Sequence, residues 1–309
     1  MKIAIVTELP HEGFVRLAGH TLYAPLEEAE VLVSTFDKRV SREMIASMPK
    51  LRLIANFGAG FNNIDLEACR ERGIRVTNTP QPVIEPTAEL AFALMIDVAR
   101  RVSEFDRAIR QGTCQPMAVM NNLSHSLYGK TLGILGMGRI GQALARRAVA
   151  SGMRILYHNR HKINDDALKA LNGGNDEMVT YVDFQTLLQD SDFLSLNLPY
   201  TPQVHHIIGK PELGMMKRTA YLINTARGAH VDEAALIEAL KSGIIAGAAL
   251  DVYEFEPKIS EALLTLPNVV LSPHTGTGTM EGRIAMCENV CDNILAFLDN
   301  RIEAMNLVL

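Results

Sequence analysis

The chain contains no tryptophan and only four cysteines, Cys69, Cys114, Cys287 and Cys291, among 309 residues. Thiols so few and so scattered exclude a disulfide-stapled secreted fold and point to a reducing compartment, which we expect to be the cytoplasm. Cys287 and Cys291 stand four apart in a helical pattern, yet no histidine or carboxylate pattern completes a metal-binding set with them. They read as buried free thiols, and no metal is expected. Long apolar runs are missing too. The longest, Leu90 to Ile96, is far below the ~20 residues a spanning helix needs. At the N-terminus a charge, Glu8, arrives before any signal-peptide core could form. Nor is there an excess of positive charge: 30 Lys and Arg against 35 Asp and Glu leave a formal −5, which argues against general nucleic-acid binding. What is present is an ordinary globular balance, 48% hydrophobic and 21% charged residues, which excludes intrinsic disorder.

The hydrophobic pattern alternates between short β-rich runs and longer helical stretches. Lys2–Val6, Glu30–Ser34, Leu51–Ala55 and Gly73–Thr77 are nearly continuous in apolar character, as strands buried on both faces must be. Helical spacing fills Arg39–Met48 and Ile64–Arg72, giving the βαβα rhythm of a parallel sheet. Pro86 opens a long helix predicted to continue to about Arg110, followed by a polar, Met-containing loop from Gln111 to Tyr128. The rhythm restarts at Thr131–Leu135. Strands recur at 154–157, 192–196, 220–224, 247–250 and 268–271, with a surface turn at Asn172-Gly173-Gly174-Asn175 and a last helix over Met280–Leu298. Two open, doubly wound parallel-sheet α/β units are therefore expected.

Between the Thr131–Leu135 strand and the next helix lies Gly136-Met137-Gly138-Arg139-Ile140-Gly141. Alone, G-x-G-x-x-G is a weak signal; between a strand and a helix it is a strong one. The first glycine makes the tight turn, the second lets a pyrophosphate approach the backbone, and the third lets helix and strand pack closely. An NAD site normally carries Asp or Glu at the end of the second strand, where it binds the ribose 2′-OH. Here the chain reads His158-Asn159-Arg160-His161-Lys162, with no carboxylate to repel a 2′-phosphate and with Arg160 able to pair it. This favours NADP over NAD.

The order of motifs resembles the D-2-hydroxyacid dehydrogenase family over nearly the whole chain. The carriers are Gly58-Ala59-Gly60-Phe61-Asn62-Asn63-Ile64-Asp65, the glycine fingerprint, Asn224-Thr225-Ala226-Arg227-Gly228, Leu250-Asp251-Val252-Tyr253-Glu254-Phe255-Glu256-Pro257 and Ser272-Pro273-His274. The tone is closest to the glyoxylate, hydroxypyruvate and 2-ketogluconate reductases within that family. The chemistry of these residues can be argued without the name. Arg227 presents a rigid donor fork for carboxylate or ketone oxygens, His274 can give a proton to a ketone oxygen, and Glu256 can fix the imidazole and favour its protonated form. Arg227, Asp251 and His274 each lie just beyond a predicted strand, where ligands gather in open α/β sheets.

The resemblance implies a flavodoxin-like substrate domain (residues 1–96 and 284–309) and a Rossmann dinucleotide-binding domain (97–283), with a hinged cleft between them. It also implies reduction of a small 2-keto acid to the D-2-hydroxy acid. Arg227, Glu256 and His274 would be catalytic, and Ala59 and Gly60 would join Arg227 and His274 in holding the substrate. The cofactor would meet Thr87, Gly136, Gly138, Arg139, Ile140, Gly141, Asn159, Arg160, Leu198, Pro199, Thr225, Ala226, Arg227, Asp251, His274 and Gly276. Asp251 would contact the nicotinamide end. A homodimer through the cofactor domain is expected, its contact made by the long helix and the loop near 110–128. Neither nucleic acid nor membrane is an expected partner. Two other outcomes share these motifs: a dinucleotide-sensing scaffold of corepressor type and a phosphite-type dehydrogenase. A formate enzyme is disfavoured, because those place glutamine where Glu256 stands. The run Thr275-Gly276-Thr277-Gly278-Thr279 departs from the usual Ile-Gly after the histidine, which bears on substrate identity. His205-His206 resembles a metal pair, but on an extended run adjacent side chains face opposite ways, so joint ligation is not expected. His230 is expected to help start the helix that follows it.

Overall fold

The computed structural model describes residues 1–172 and 178–309 and divides into two compact units, Met1–Pro86 with Thr277–Leu309, and Thr87–Gly276. Both boundaries fall earlier than the expected 96/97 and 283/284. The first lies at Pro86, in the opening turn of an unbroken helix, where a proline is compatible with continuing helix and marks no linker. The Asn172–Asn175 turn lies, beyond Asn172, outside the described residues.

In the first unit β1 (Lys2–Ile5), β2 (Thr21–Leu22), β3 (Val31–Thr35), β4 (Leu53–Phe57) and β5 (Arg75–Thr77) form a parallel sheet in the order β2-β1-β3-β4-β5. This is the flavodoxin-like order. Every residue of β3 and β4 is buried, as the continuous apolar runs required. The short helices α1 (Arg42–Ala46) and α2 (Leu66–Glu71) start at Ser41 and Asp65, whose side chains accept from the N–H groups of Met44 and Ala68. Ile45, Met48 and Ile64 then pack on Leu32, Ile54 and Val76. The C-terminal helix, Met280–Leu298, buries Cys287 and Cys291, and burial pushes both thiols up to about 12. Val308 donates its N–H to Val76 O, so the chain end covers the edge of β5.

The second unit opens with α3 (Ile84–Arg100) and α4 (Val102–Arg110). The sequence predicted one helix here. It breaks because Arg101 takes a left-handed conformation (φ 59°), and Asp97 then caps the new start by accepting from Ser103 N at 2.8 Å. There follow β6 (Thr131–Leu135), α5 (Arg139–Ala150), β7 (Arg154–His158), α6 (Asp165–Asn172), β8 (Val179–Tyr181), α7 (Phe184–Asp190), β9 (Phe193–Leu196), α8 (Lys210–Met215), β10 (Tyr221–Asn224), α9 (Glu233–Lys241), β11 (Gly247–Leu250), α10 (Glu261–Leu264) and β12 (Val269–Leu271). The strands are parallel in the order β12-β11-β10-β9-β6-β7-β8, a Rossmann arrangement with one added strand. Strand order reverses between β6 and β9, so the glycine fingerprint after β6 opens at the switch point. Leu194, Leu222, Leu236, Leu240 and Ala248 are among the core residues on the β9–β11 side. Among the described residues no helix is long and apolar enough to cross a membrane.

Candidate active site

The glycine turn shows three different reasons for three glycines. Gly136 has φ 99°, and a Cβ there would stand 2.8 Å from the backbone C and O of Asn197. A Cβ on Gly141 would stand 2.4 Å from Gly136 O. Those two glycines are required by the protein's own packing. A Cβ on Gly138, in contrast, meets no atom within 4 Å, and its backbone is extended (φ −76°, ψ −164°). Gly138 precedes the first turn of the twelve-residue α5 and no side chain caps that helix. Its bare backbone leaves an open cradle beside helix-start N–H groups that have no side-chain cap among the described residues, which fits a dinucleotide pyrophosphate. Asn197, whose backbone packs on Gly136, and Thr225, just past β10, each have a buried side-chain oxygen (Oδ1 and Oγ1) with no hydrogen-bond partner among the described residues.

At the end of β7, Asn159 Oδ1 accepts from Met137 N at 2.7 Å, so this side chain braces the glycine turn. Tyr181 OH donates to Asn159 O at 3.3 Å. Arg160 is exposed and has no carboxylate partner among the described residues. Lys162, the other cation of this stretch, lies 5.1 Å from the centre of the Tyr181 ring.

Past β10, Ala226 N donates to Asn224 Oδ1 (3.1 Å) and Asn224 Nδ2 donates to Arg227 O (3.0 Å), a turn closed by one asparagine side chain. Burial pushes the Arg227 guanidinium below its usual range and nearby Glu256 opposes the shift. Past β11, Asp251 is 1% exposed. Its Oδ1 accepts from Thr275 N and its Oδ2 from Gly276 N, both at 2.8 Å. The carboxylate expected at the nicotinamide end thus grips the loop after β12. Gly276 fits against it, since a Cβ there would lie 3.2 Å from Asp251 Oδ2 and 3.4 Å from Thr87 Cγ2. His274, held just before this grip, has φ 55°, a costly conformation for a non-glycine residue and one that clusters at functional sites.

His274 Nδ1 and Glu256 Oε2 are 2.8 Å apart, and Glu256 Oε1 accepts from Tyr253 N at 2.9 Å. Partial burial would raise the Glu256 carboxyl, but the bonds from His274 and Tyr253 outweigh it and hold the group below its ordinary value. Arg227, Glu256 and His274 therefore gather at the carboxyl ends of β10, β11 and β12, while Leu198 and Pro199 follow β9.

Ala59 and Gly60 follow β4 in the first unit. Sequence reading missed what shapes their loop: Asn56 Nδ2 donates to the carbonyls of Gly58 (3.1 Å) and Gly60 (2.8 Å), and Asn78 Nδ2 to that of Ala59 (2.8 Å). With the carbonyls tethered, the N–H groups of Ala59 and Gly60 have no acceptor among the described residues. The available signal was an asparagine near the end of each of two neighbouring strands.

Two histidine expectations need correction. His206 has φ 51°, so the run is not extended; the His205 and His206 rings stack with centroids 3.9 Å apart and planes at 20°. With Glu254 they bring three potential ligand atoms within 4.8 Å. Nearly parallel rings cannot both aim in-plane lone pairs at one ion, so the cluster remains a hydrogen-bonded stack. His230 does not start α9, since Asp232 caps it by accepting from Ala235 N (2.9 Å). His230 is fully buried, and burial pushes it down to about 4.

Residues 92–276 match the family described as D-isomer specific 2-hydroxyacid dehydrogenase, NAD binding domain. A glyoxylate reductase of Thermococcus litoralis is 47% identical over 285 residues, spanning 91% of this chain and 84% of that protein. The chain belongs to the D-2-hydroxyacid dehydrogenase family. Among solved structures of similar fold, the TT0316 protein of Thermus thermophilus aligns over 100% of both chains with a TM-score of 0.90 and 38% identity. An NADPH-dependent glyoxylate/hydroxypyruvate reductase of Sinorhizobium meliloti, solved with NADP and malonate, aligns over 96% of this chain and 93% of that one, with a TM-score of 0.82 and 30% identity. This D-2-hydroxyacid dehydrogenase is accordingly an oxidoreductase that uses a nicotinamide dinucleotide.

Proposed function

We propose that this dehydrogenase reduces a small 2-keto acid, namely glyoxylate, hydroxypyruvate or a sugar 2-keto acid, to the D-2-hydroxy acid with a preference for NADPH. The observation that carries the reading is the 2.8 Å pair of His274 and Glu256 beside Arg227. When bound, the reduced nicotinamide supplies the hydride for the ketone carbon. Arg227 binds the substrate's oxygens and polarises the ketone through its donor fork. His274 has Nδ1 engaged with Glu256, so proton delivery to the ketone oxygen falls to Nε2. Glu256, kept ionised, stabilises the imidazolium before transfer and holds its orientation. The N–H groups of Ala59 and Gly60 serve as donors to the substrate carboxylate. The cofactor is held by the fingerprint, with its pyrophosphate at Gly138, Arg139, Ile140 and Gly141, and by Thr87, Leu198, Pro199, Thr225, Ala226, Asp251 and Gly276. Arg160 takes the 2′-phosphate, supported by its exposure and by an asparagine in place of an acid at 159. Similarity to enzymes named glyoxylate reductase supports the substrate class.

The same reading makes the protein a cytoplasmic homodimer. The contact runs through α4, none of whose residues is buried, and the loop after it, where Ile109, Met117, Val119, Met120 and Leu123 are exposed.

The test is oxidation of NADPH or NADH followed by absorbance with glyoxylate, hydroxypyruvate, 2-ketogluconate and branched 2-keto acids. Turnover with NADPH that His274→Ala reduces by about 10²-fold or more is expected. Preference for NADH overturns the role of Arg160. No reduction of any acid despite tight cofactor binding overturns the reductase reading and favours a sensing scaffold or phosphite chemistry.

A further inference from the structure

We infer that Glu254 is a positioning residue: with His206 and Glu233 it locks the turn carrying Arg227 to the turn carrying Glu256. The inference deepens the proposed reaction and rests on the catalytic roles assigned there. Three chain segments meet at this carboxylate. Glu254 Oε2 accepts from Glu233 N and Glu254 N donates to Glu233 Oε2, both at 3.1 Å, a reciprocal pair between the loop after β11 and the start of α9. Glu254 Oε1 lies 2.7 Å from His206 Nε2. His206 in turn donates its main-chain N–H to Ala229 O at 2.9 Å, two residues past Arg227. Ser260 Oγ donates to the remaining oxygen of Glu233, which is 4% exposed. The circuit closes through backbone contact: a Cβ on Gly228 would stand 1.9 Å from Tyr253 C and 2.4 Å from Glu254 N, so the residue after Arg227 lies directly on the Glu254 main chain. Tyr253, between them, donates its N–H to Glu256 at 2.9 Å and its hydroxyl to Ser272 O at 2.8 Å, two residues before His274. Arg227 and Glu256 each sit one or two residues outside this ring, so their separation is set by it. Glu254 itself has no part in binding substrate or moving a proton.

The test is steady-state and pH-dependent kinetics of Glu254→Ala, Glu254→Gln, His206→Ala and His206→Gln, with thermal melts and cofactor titration by NADPH fluorescence. Glu254→Ala is expected to lower kcat by about 10- to 100-fold, as a small misplacement of reacting groups does. Cofactor affinity stays near wild type, and the alkaline limb of the kcat/KM profile moves because Glu256 no longer meets His274 squarely. Gln at 254 keeps one oxygen acceptor and recovers part of kcat; at 206 it recovers part of what Ala loses. If Glu254→Ala does not fold, the part-exposed His206 carries the test. Wild-type kcat and pH profile in folded Glu254→Ala, or in both His206 variants, overturn the inference. Arg227→Ala and His274→Ala run alongside: if these are inactive while the Glu254 and His206 variants are fully active, the positioning role alone fails, and if these are themselves active, the catalytic reading fails.

Discussion

At the scale of single residues the proposed chemistry rests on how Glu256 is held. Its carboxyl lies below the ordinary 4.5 because two hydrogen-bond donors outweigh its partial burial. It therefore remains ionised throughout the range in which an imidazole exchanges its proton, and it contributes no limb to a pH profile near neutrality. Replacing it with glutamine removes the negative partner of the His274 ring, and kcat/KM for reduction is expected to fall by about 10-fold or more. Unchanged kcat/KM in Glu256→Gln would show that the 2.8 Å pair has no bearing on proton delivery. The places of Arg227, Asp251 and His274 just past strands were legible in the sequence, whereas the 2.8 Å approach of Glu256 to His274 appears only in the folded loop. What Asp251 does was not legible either: only the folded loop shows both its oxygens taken by the N–H groups of Thr275 and Gly276. The stacking of His205 on His206 was equally hidden, since nothing in the sequence announces a left-handed histidine.

At the scale of elements the strand-helix rhythm gave the parallel sheets, because strands covered on both faces must be apolar throughout. It missed β2, with two residues, too short to show any period, and β8, whose three residues VTY include only one that is buried. It also ran α3 and α4 together. No glycine or proline stands at Arg101, and the break depends on a side chain, Asp97, reaching forward to the next helix. The proposed cofactor preference belongs to this scale, because it rests on where β7 ends: Asn159 braces the glycine turn, and the proposal gives the 2′-phosphate to Arg160. Arg160→Ala should raise KM for NADPH by about 10-fold, the worth of one charge-assisted hydrogen bond, and leave KM for NADH nearly unchanged. Equal effects on both cofactors would remove the phosphate contact from the account.

At the scale of the whole molecule the outstanding feature is the concentration of exposed apolar side chains along α4 and the loop after it. Val102 and Ile109, seven apart on α4, are more than half exposed, and Met117 is completely so. The loop is tied back to the helix junction, with Arg101 Nη1 donating to Leu123 O at 2.9 Å and His125 N to Ala99 O at 2.9 Å. Ordered, apolar and uncovered, such a surface suits a second copy. Sedimentation should give twice the chain mass, and Ile109→Asp combined with Met120→Asp should give the single-chain mass. A wild-type protein that sediments as one chain would overturn this.

The open space at Gly138 has a practical consequence. At most glycines of a tight turn an added methyl group damages the fold and the ligand site together, so loss of binding says little. Here the methyl would touch only what arrives from outside. Gly138→Ala gives up the better helix cap and should lower Tm by no more than about 4 °C, while weakening cofactor binding by about 10-fold or more. That one carbon would yield a protein that is folded yet binds its dinucleotide poorly. It is the control against which any role of the chain apart from hydride transfer could be measured in a cell.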